Sequence, residues 1–175
     1  MPWANGGGWT TEIIAEPSSA HWSWRLSVAD VEVDGPFSSF PCVDRSIALL
    51  RGAGFALTVD GRDEHVIDAP YQPFEFAGDE ATTCRLIDGP VQDLNLMTTR
   101  NSDPRRLAFD HIAPGAAMEL GDVDVVVVVA GHVRIDGLHL GYLDAIRFNS
   151  DSRFVALTSL GDDAVVASVV ADNHG

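Results

Sequence analysis

Hydrophobic and polar positions alternate along most of this 175-residue chain. The clearest run is one in which Trp22, Trp24, Leu26 and Val28 alternate with Ser23, Arg25, Ser27 and Ala29. Alternation of this kind is typical of a half-buried β-strand. The apolar parity changes near Asp30, since Val31 and Val33 continue the apolar face, and we therefore expect a β-bulge there. No stretch of 11 or more residues repeats apolar positions at helical spacing, so the pattern predicts an all-β chain.

Short apolar runs bounded by turn residues predict the other strands. We expect them at residues 47–50, 55–59, 65–67, 74–76, 85–87, 91–97, 123–129, 133–135, 145–148, 153–157 and 164–170. The run Val125–Val129 is apolar at every position, which predicts a central strand buried on both faces. The segment Phe37–Pro41 is predicted to be a loop, and the polar segment Thr98–Arg106 to be a linker.

The two halves of the chain repeat these signals in the same order. A strand that ends at glycine, a strand that ends at an Asp-Gly turn and a strand that ends at phenylalanine follow one another in both halves. Repeated short strands with even turn spacing are typical of jelly-roll barrels. We therefore predict a bicupin, with one jelly-roll-like barrel in residues 1–100 and a second, smaller one in residues 101–175. This division also allows strands to be exchanged between the two barrels.

The formal net charge of −15, with 11 arginines and no lysine, limits the partners of the chain. Nucleic-acid binding depends on basic surface, so we expect no nucleic-acid partner. No apolar run reaches the ~18 residues of a membrane span and the first residues do not form a signal peptide, so we expect a cytoplasmic protein without membrane contact. Cys42 and Cys84 are too few for a disulfide framework, and both are predicted to be buried thiols.

Three consecutive glycines, Gly6, Gly7 and Gly8, follow Asn5 near the start of the chain. Because they lack Cβ atoms, such a loop can take left-handed conformations or approach a ligand closely. If a strand follows, Thr10 and Glu12 point to the same face, about 7 Å apart. Two interpretations stay open: a site built from these polar groups, and a frayed terminus with a glycine spacer.

Polar residues also interrupt strands that are otherwise apolar. Asp93, Asn95 and Met97 share one face of a predicted strand, and Arg25 and Ser27 share one face of another. On an open antiparallel sheet such a face is solvated. Inside a closed barrel the same residues must pair with one another or bind something. The pattern alone leaves both interpretations open.

The sequence lacks the motifs of metal and covalent chemistry. None of the six histidines forms a His-x-His pair, and the spacing of His132 and His139 is not typical of metal ligands. There is no Gly-x-Ser-x-Gly and no His-Glu-x-x-His motif. We therefore expect no metal and no cofactor.

Several motifs in the first hundred residues resemble the HutD/Ves family. They are Pro2-Trp3-Ala4-Asn5-Gly6-Gly7-Gly8 with Glu12-Ile13, Trp24–Ala29, Gly35–Pro41 with Asp44-Arg45, Phe76–Asp79 and Asp93–Met97. The resemblance implies a metal-free bicupin, usually a homodimer, in the bacterial cytoplasm, encoded with enzymes of histidine utilisation. Two positions depart from the family pattern: Cys42 stands where glycine is common, and Thr11 where a basic residue is frequent.

The resemblance also implies a pocket and a ligand class. The implied ligand is a small carboxylate-bearing pathway intermediate, such as urocanate, formiminoglutamate or formylglutamate. The implied pocket residues are Asn5, Gly6, Gly7, Gly8, Thr10, Glu12, Arg25, Ser27, Phe37, Ser38, Arg45, Asp93 and Asn95.

The first functional hypothesis is a small-molecule-binding protein in which Arg25 or Arg45 holds the ligand carboxylate. Glu12, Asp93 and Asn95 then contact a nitrogen group of the ligand, and amides of the glycine loop approach an anion. The alternative is an enzyme, a hydrolase or isomerase, that uses Glu12 and Asp93 as general acid and base. A third hypothesis is an interaction module that acts through its dimer surface.

Overall fold

A computed structural model describes residues 1–3, 6–18, 21–148 and 154–172 of the chain. Within these ranges there are 17 β-strands and no helix, which confirms the prediction of an all-β chain. It follows that no helix in the described part of the chain is able to cross a membrane. The chain forms two compact units, Met1–Pro104 and Arg105–Gly175, and the division falls inside the segment predicted as a linker.

The first unit contains two antiparallel sheets. Its strands are β1 (Gly8–Glu16), β2 (Trp24–Val31), β3 (Gly35–Pro36), β4 (Val43–Arg51), β5 (Phe55–Val59), β6 (His65–Ile67), β7 (Phe74–Ala77), β8 (Thr82–Leu86) and β9 (Val91–Thr99). The five-stranded sheet has the order β1-β2-β9-β4-β7, and the four-stranded sheet the order β3-β8-β5-β6.

Inward-facing apolar side chains of both sheets form the core of the first unit. Ile47 and Leu49 of β4 pack in one cluster with Phe55 and Leu57 of β5, and each of the four is at most 1% exposed. The alternation of their side chains places every second residue of each strand in this interior. The two sheets therefore enclose one interior, and the identity of the inward-facing residues decides what that interior contains.

The second unit has its own pair of antiparallel sheets. Its strands are β10 (Arg105–Ile112), β11 (Ala117–Gly121), β12 (Val123–Ala130), β13 (Val133–Ile135), β14 (Leu138–Leu140), β15 (Ala145–Arg147), β16 (Phe154–Ser159) and β17 (Ala164–Ala171). They form sheets in the orders β10-β17-β12-β15 and β11-β16-β13-β14. Val125–Val129 lies in β12 between two neighbours and is at most 2% exposed, which confirms the prediction of a central buried strand. Each of the four sheets takes its strands from one unit.

Two local predictions were wrong. Asp30 pairs in regular register with Gln92, and the irregularity lies instead in β1, between Glu12 and Ile14. The parity change in the sequence has another cause, because β2 ends at Val31 and the following residues leave the sheet. Cys42 is exposed, whereas Cys84 is buried as predicted.

Four strands escaped the sequence pattern, namely β3, β10, β11 and β14. β10 mixes polar and apolar residues without regular alternation, yet all eight of its residues pair with β17. Its pairing depends on partners between 52 and 66 residues away in sequence, and no local pattern encodes such partners. The predicted strand at 153–157 begins at Arg153, which lies outside the described residues, and the described strand covers Phe154–Ser159.

Candidate functional site

A cavity of about 550 Å³ lies in the first unit, against the inner face of its five-stranded sheet. Polar groups from three neighbouring strands line one side, and aromatic and apolar groups line the other. The lining residues are Met1, Pro2, Trp3, Thr10, Arg25, Ser27, Ala29, Pro36, Phe37, Ser38, Phe40, Arg45, Asp93, Asn95 and Met97. All of them belong to the unit that spans residues 1–104.

Strand register brings the polar residues of this wall together. β9 lies between β2 and β4, so each inward-facing residue of β9 has one neighbour on either side. Met97 lies between Arg25 and Arg45, and Asn95 lies directly across from Ser27. Residues between 52 and 72 positions apart in sequence therefore become cross-strand neighbours about 5 Å apart.

Burial decides between the two interpretations of this face. Ser27 is 2% exposed, Arg45 6%, Asp93 1% and Asn95 5%. A solvated sheet face is incompatible with these values, so the polar residues belong to the interior. Buried polar atoms are costly unless they have partners, and the contacts of each group are therefore informative.

Two arginines approach the cavity without a carboxylate partner among the described residues. No carboxylate oxygen in that part of the chain lies within 4 Å of the guanidinium nitrogens of Arg25 or Arg45. The Nε atoms of both are buried and lack a hydrogen-bond acceptor there. An Arg25 guanidinium nitrogen instead donates to the sulfur of Met97 at 3.3 Å.

Aromatic rings hold the two guanidinium groups in place. The central carbon of Arg45 lies 5.1 Å from the ring centroid of Phe37, 5.7 Å from that of Phe40 and 4.9 Å from that of Phe76. Arg25 lies 5.4 Å from the Trp22 ring and also contacts Phe40. Cation–π attraction compensates part of the cost of burying these charges.

Burial lowers the pKa of both arginines. That of Arg45 falls to about 10, since the attraction of Asp93 offsets only part of the desolvation and nearby Arg25 opposes it. The pKa of Arg25 is lowered by desolvation and raised in part by the charge of Glu12. With a pKa of about 10, Arg45 remains a cation at neutral pH.

Asp93 is the buried carboxyl group of the cavity. Its cross-strand neighbours are Ala29 and Leu49, neither of which offers a side-chain hydrogen bond. Its Oδ1 atom has no partner among the described residues, and the same holds for Oδ1 of Asn95. Burial raises the pKa of Asp93 to about 7, against the attraction of Arg45.

The turn at Gly6–Gly8 folds the chain back, so that Met1, Pro2 and Trp3 line the cavity. Trp3 Nε1 donates to Thr10 Oγ1 at 2.7 Å, and the Gly6 amide donates to the Trp3 carbonyl at 3.0 Å. A Cβ atom on Gly8 would overlap the carbonyl oxygen of Asp30 and lie 3.3 Å from the Trp3 ring. The Gly8 position therefore requires glycine for close packing of the chain on itself.

The segment 37–40 supplies the rings that cover the arginines. It is a loop, as predicted, and its amides are anchored at both ends. The Phe37 amide donates to the Thr82 carbonyl at 2.9 Å, and the Phe40 amide donates to the Gly78 carbonyl at 2.7 Å. Backbone bonds thus fix the rings relative to the sheet.

The structure brings together eight of the sequence-predicted pocket residues. Those on the cavity wall are Thr10, Arg25, Ser27, Phe37, Ser38, Arg45, Asp93 and Asn95. Gly6, Gly7, Gly8 and Glu12 are not among its lining residues. Glu12 is exposed, because it lies on the edge strand β1, although it is the cross-strand neighbour of Ser27. Asn5 lies outside the described residues.

Other lining residues were missing from the predicted set, among them Trp3, Ala29, Phe40 and Met97. The parity of Ala29 and Met97 matches that of Ser27 and Asn95, so strand alternation alone was sufficient to include them. Phe40 and Trp3 come from segments whose path is set by the turns and loops described above, and the sequence gives no signal for that path.

Two kinds of chemistry follow from this arrangement. Paired guanidinium groups are suited to binding a carboxylate, and the neighbouring Asp93 and Asn95 offer hydrogen-bonding atoms to a second polar group. Within the described ranges, no group of three or more His, Cys, Asp or Glu side chains is arranged to hold a metal ion.

Comparison with known proteins relates this chain to a family. A family model described as HutD matches residues 1–166. An uncharacterized 21.2 kDa protein in the hutC 3′ region of Pseudomonas putida is 32% identical over 171 residues, covering 92% of this chain and 87% of that protein. Protein Ves from Cronobacter sakazakii is 40% identical over 100 residues, covering 57% of this chain and 55% of that protein.

Solved structures agree in fold. A conserved protein of unknown function from Pseudomonas aeruginosa has a TM-score of 0.83 at 28% identity, covering 99% of this chain and 93% of that one. HutD from Pseudomonas fluorescens, determined in a formate condition, has a TM-score of 0.77 at 32% identity, covering 99% and 94%. A cupin 2 barrel protein from Leptotrichia buccalis has a TM-score of 0.64 at 9% identity, covering 94% and 89%, which shows the cupin fold alone. The predicted bicupin fold is thereby confirmed, and the chain belongs to the HutD family.

Proposed function

We propose that the first unit binds a small organic anion, with its carboxylate held by Arg25 and Arg45. One observation carries this proposal: the buried Arg45 and the half-buried Arg25 line a cavity of about 550 Å³, and neither has a carboxylate within 4 Å among the described residues. Ligand pockets of small molecules fall within roughly 300–1,000 Å³. A bound carboxylate supplies the charge that the two arginines lack.

The remaining walls restrict the ligand to a short, amphipathic molecule. Trp3, Phe37 and Phe40 offer apolar and aromatic surface, and Ser27 and Asn95 offer hydrogen bonds opposite it. Asp93 adds a titratable carboxyl group at the same wall. A molecule with a carboxylate at one end and an amide, imidazole or second carboxylate at the other matches this distribution.

Histidine breakdown supplies molecules of this chemistry. A relative covering most of this chain is named for the hutC 3′ region, and a structural relative is HutD itself. Urocanate, formiminoglutamate and formylglutamate are therefore the ligands that we propose, with binding in the cytoplasm by a homodimer that senses the level of the intermediate. Gel filtration with light scattering tests the dimer.

Isothermal titration calorimetry with each of the three compounds tests the ligand. We expect binding by the native protein, and about 10–100-fold weaker binding by Arg45→Met, because a hydrogen bond to a charged group contributes about 1.5–3 kcal/mol. Arg85→Met is the matched control, since Arg85 is exposed and paired with Glu64 at 2.7 Å, away from the cavity. No heat with any of the three at millimolar concentration would refute the proposed ligands.

A second candidate function is suggested by Asp93 alone. A carboxyl group with a pKa of about 7 has the acidity of a general base at neutral pH. The exposed Glu12 does not line the cavity, so an acid–base pair of Glu12 and Asp93 lacks support. Chromatography of each compound after incubation measures turnover. Turnover that Asp93→Asn abolishes while affinity is retained favours this function over binding alone.

A further inference from the structure

Three ionisable side chains line the cavity, and the sum of their charges depends on whether Asp93 carries a proton. Arg25 and Arg45 contribute two positive charges, and Asp93 contributes one negative charge only when ionised. A monocarboxylate balances the site when Asp93 is ionised. A dicarboxylate balances it only when Asp93 carries a proton.

The surroundings of Asp93 favour the protonated form. It is 1% exposed, its cross-strand neighbours are alanine and leucine, and Oδ1 has no partner among the described residues. An ionised carboxylate in such a place lacks the hydrogen bonds that normally stabilise it, whereas the neutral acid is both donor and acceptor.

The groups that act on Asp93 come from three other strands. Arg45 of β4 attracts its negative charge, but no guanidinium nitrogen lies within 4 Å of the carboxylate. Asp30 of β2 repels it. Cys84 of β8 stays a neutral thiol, since burial and the charge of Asp93 raise the pKa of Cys84 to about 12.

We infer that the cavity binds a dicarboxylate together with one proton, which Asp93 holds and through which it donates a hydrogen bond to the ligand. This inference rests on the proposed function and narrows it to dianions such as formylglutamate. The second carboxylate of the ligand adds a negative charge beside Asp93 and strengthens its hold on the proton. The only bond that forms is the O–H bond of the Asp93 carboxyl group, and its proton comes from the acid form of the buffer, which is left as the conjugate base.

The size of the proton uptake depends on pH. With a pKa of about 7 in the free protein, Asp93 is protonated in roughly half of the molecules at pH 7 and in about a tenth at pH 8. Binding to a fully protonated form then takes up about 0.5 proton at pH 7 and about 0.9 at pH 8. Above pH 7.5 the dissociation constant rises about tenfold per pH unit.

Calorimetry in buffers of different ionisation heat measures these protons directly. We use N-formyl-L-glutamate, whose carboxyl groups ionise below about pH 5 and add no protons between pH 6 and 8.5. Asp93→Asn is the control, because its amide stays neutral and all other groups of protein and ligand cancel. We expect uptake of about 0.9 proton at pH 8 in the native protein and none in the variant.

Each outcome has a distinct meaning. Binding of N-formyl-L-glutamate without proton uptake overturns the inference and leaves the proposed function intact. Binding of urocanate, a monocarboxylate, with no binding of N-formyl-L-glutamate also overturns only the inference. Absence of heat with all three proposed ligands refutes the proposed function and the inference with it. The native protein alone separates these outcomes, so none depends on the folding of the variant.

Discussion

Replacing Asp93 with asparagine tests the electrostatics of the cavity without any ligand. Asp93 is protonated in the folded protein up to about pH 7 but ionises near pH 3.9 when unfolded. The folded state therefore holds an extra proton between these values, and stability is fully present below pH 3.9 and is lost as pH rises to 7. Asparagine has no proton to lose, so Asp93→Asn lacks this dependence.

The expected magnitude follows from the difference in pKa between the two states. Integrated between pH 5 and 9, a shift from about 3.9 to about 7 changes the free energy of unfolding by about 3 kcal/mol. Asp93 is 1% exposed, so solvent screening does not reduce this value appreciably. Over that range the variant should gain about 3 kcal/mol relative to the native protein.

Urea unfolding followed by tryptophan fluorescence is a suitable assay. Trp3, Trp9, Trp22 and Trp24 are the only tryptophans of the sequence, and all lie in the first unit. With a slope of about 2 kcal/mol/M, the difference between the two urea midpoints should change by about 1–1.5 M from pH 5 to pH 9.

Asp79→Asn is the matched control for this experiment. A side-chain hydrogen bond from Arg100 lowers the pKa of the exposed Asp79, so its contribution is lost only as pH falls below the range of the assay. The midpoint difference between this variant and the native protein should be constant from pH 5 to pH 9. The same constancy in Asp93→Asn would refute the assignment of a raised pKa to Asp93.

Three further predictions use the same protein. Arg45→Met should raise the urea midpoint while it weakens binding, because methionine keeps the packing against the phenylalanines and removes a buried charge without a nearby carboxylate. Gly8→Ala should lower the free energy of unfolding by about 2–3 kcal/mol. Gly6→Ala should lower it by only about 1 kcal/mol, because a Cβ atom there meets nothing within 4 Å and only the φ of +70° is strained. Equal effects of the two variants in urea unfolding would contradict the close approach of Gly8 to its neighbours. Maleimide labelling at pH 8, read by mass spectrometry, should modify the exposed Cys42 rapidly and Cys84 only after unfolding; rapid double labelling of the native protein would be inconsistent with the burial of Cys84.

Strand positions were predictable because local alternation encodes them. The run Val125–Val129 was assigned correctly from composition, since a strand buried on both faces needs apolar residues at every position. β10 was missed because its pairing with β17 is a property of two distant segments. The local pattern therefore predicts the strands that bury a regular face, whereas the formation of the others depends on tertiary context.

The candidate site was predictable only in part, for a related reason. Parity placed Asp93 and Asn95 on one face, but whether that face was solvated depended on the second sheet of the barrel. Membership of the cavity wall depended on strand register, which brings Arg45 beside Met97, and on the path of the loop that carries Phe40. Glu12 shows the limit of parity, because it faces the same side as Ser27 yet lies at the sheet edge and is exposed.

The backbone conformation at Cys42 explains why glycine suits this position. Its φ is 60°, in the left-handed region that glycine adopts at little cost. Glycine adopts this backbone conformation without strain, whereas cysteine there is strained by about 1 kcal/mol.

The two units differ in how their interiors are filled. The buried residues described in the second unit are aliphatic apart from Ser159 and Ser168, with Val126, Val128 and Val133 fully enclosed. The interior of the first unit instead contains the cavity, whose wall carries buried polar atoms without hydrogen-bond partners among the described residues. A ligand in that cavity supplies partners for these polar atoms, and at about 100 times its dissociation constant it adds about 2.7 kcal/mol to the stability of the protein. The supply of ligand is therefore expected to raise the resistance of the protein to proteolysis.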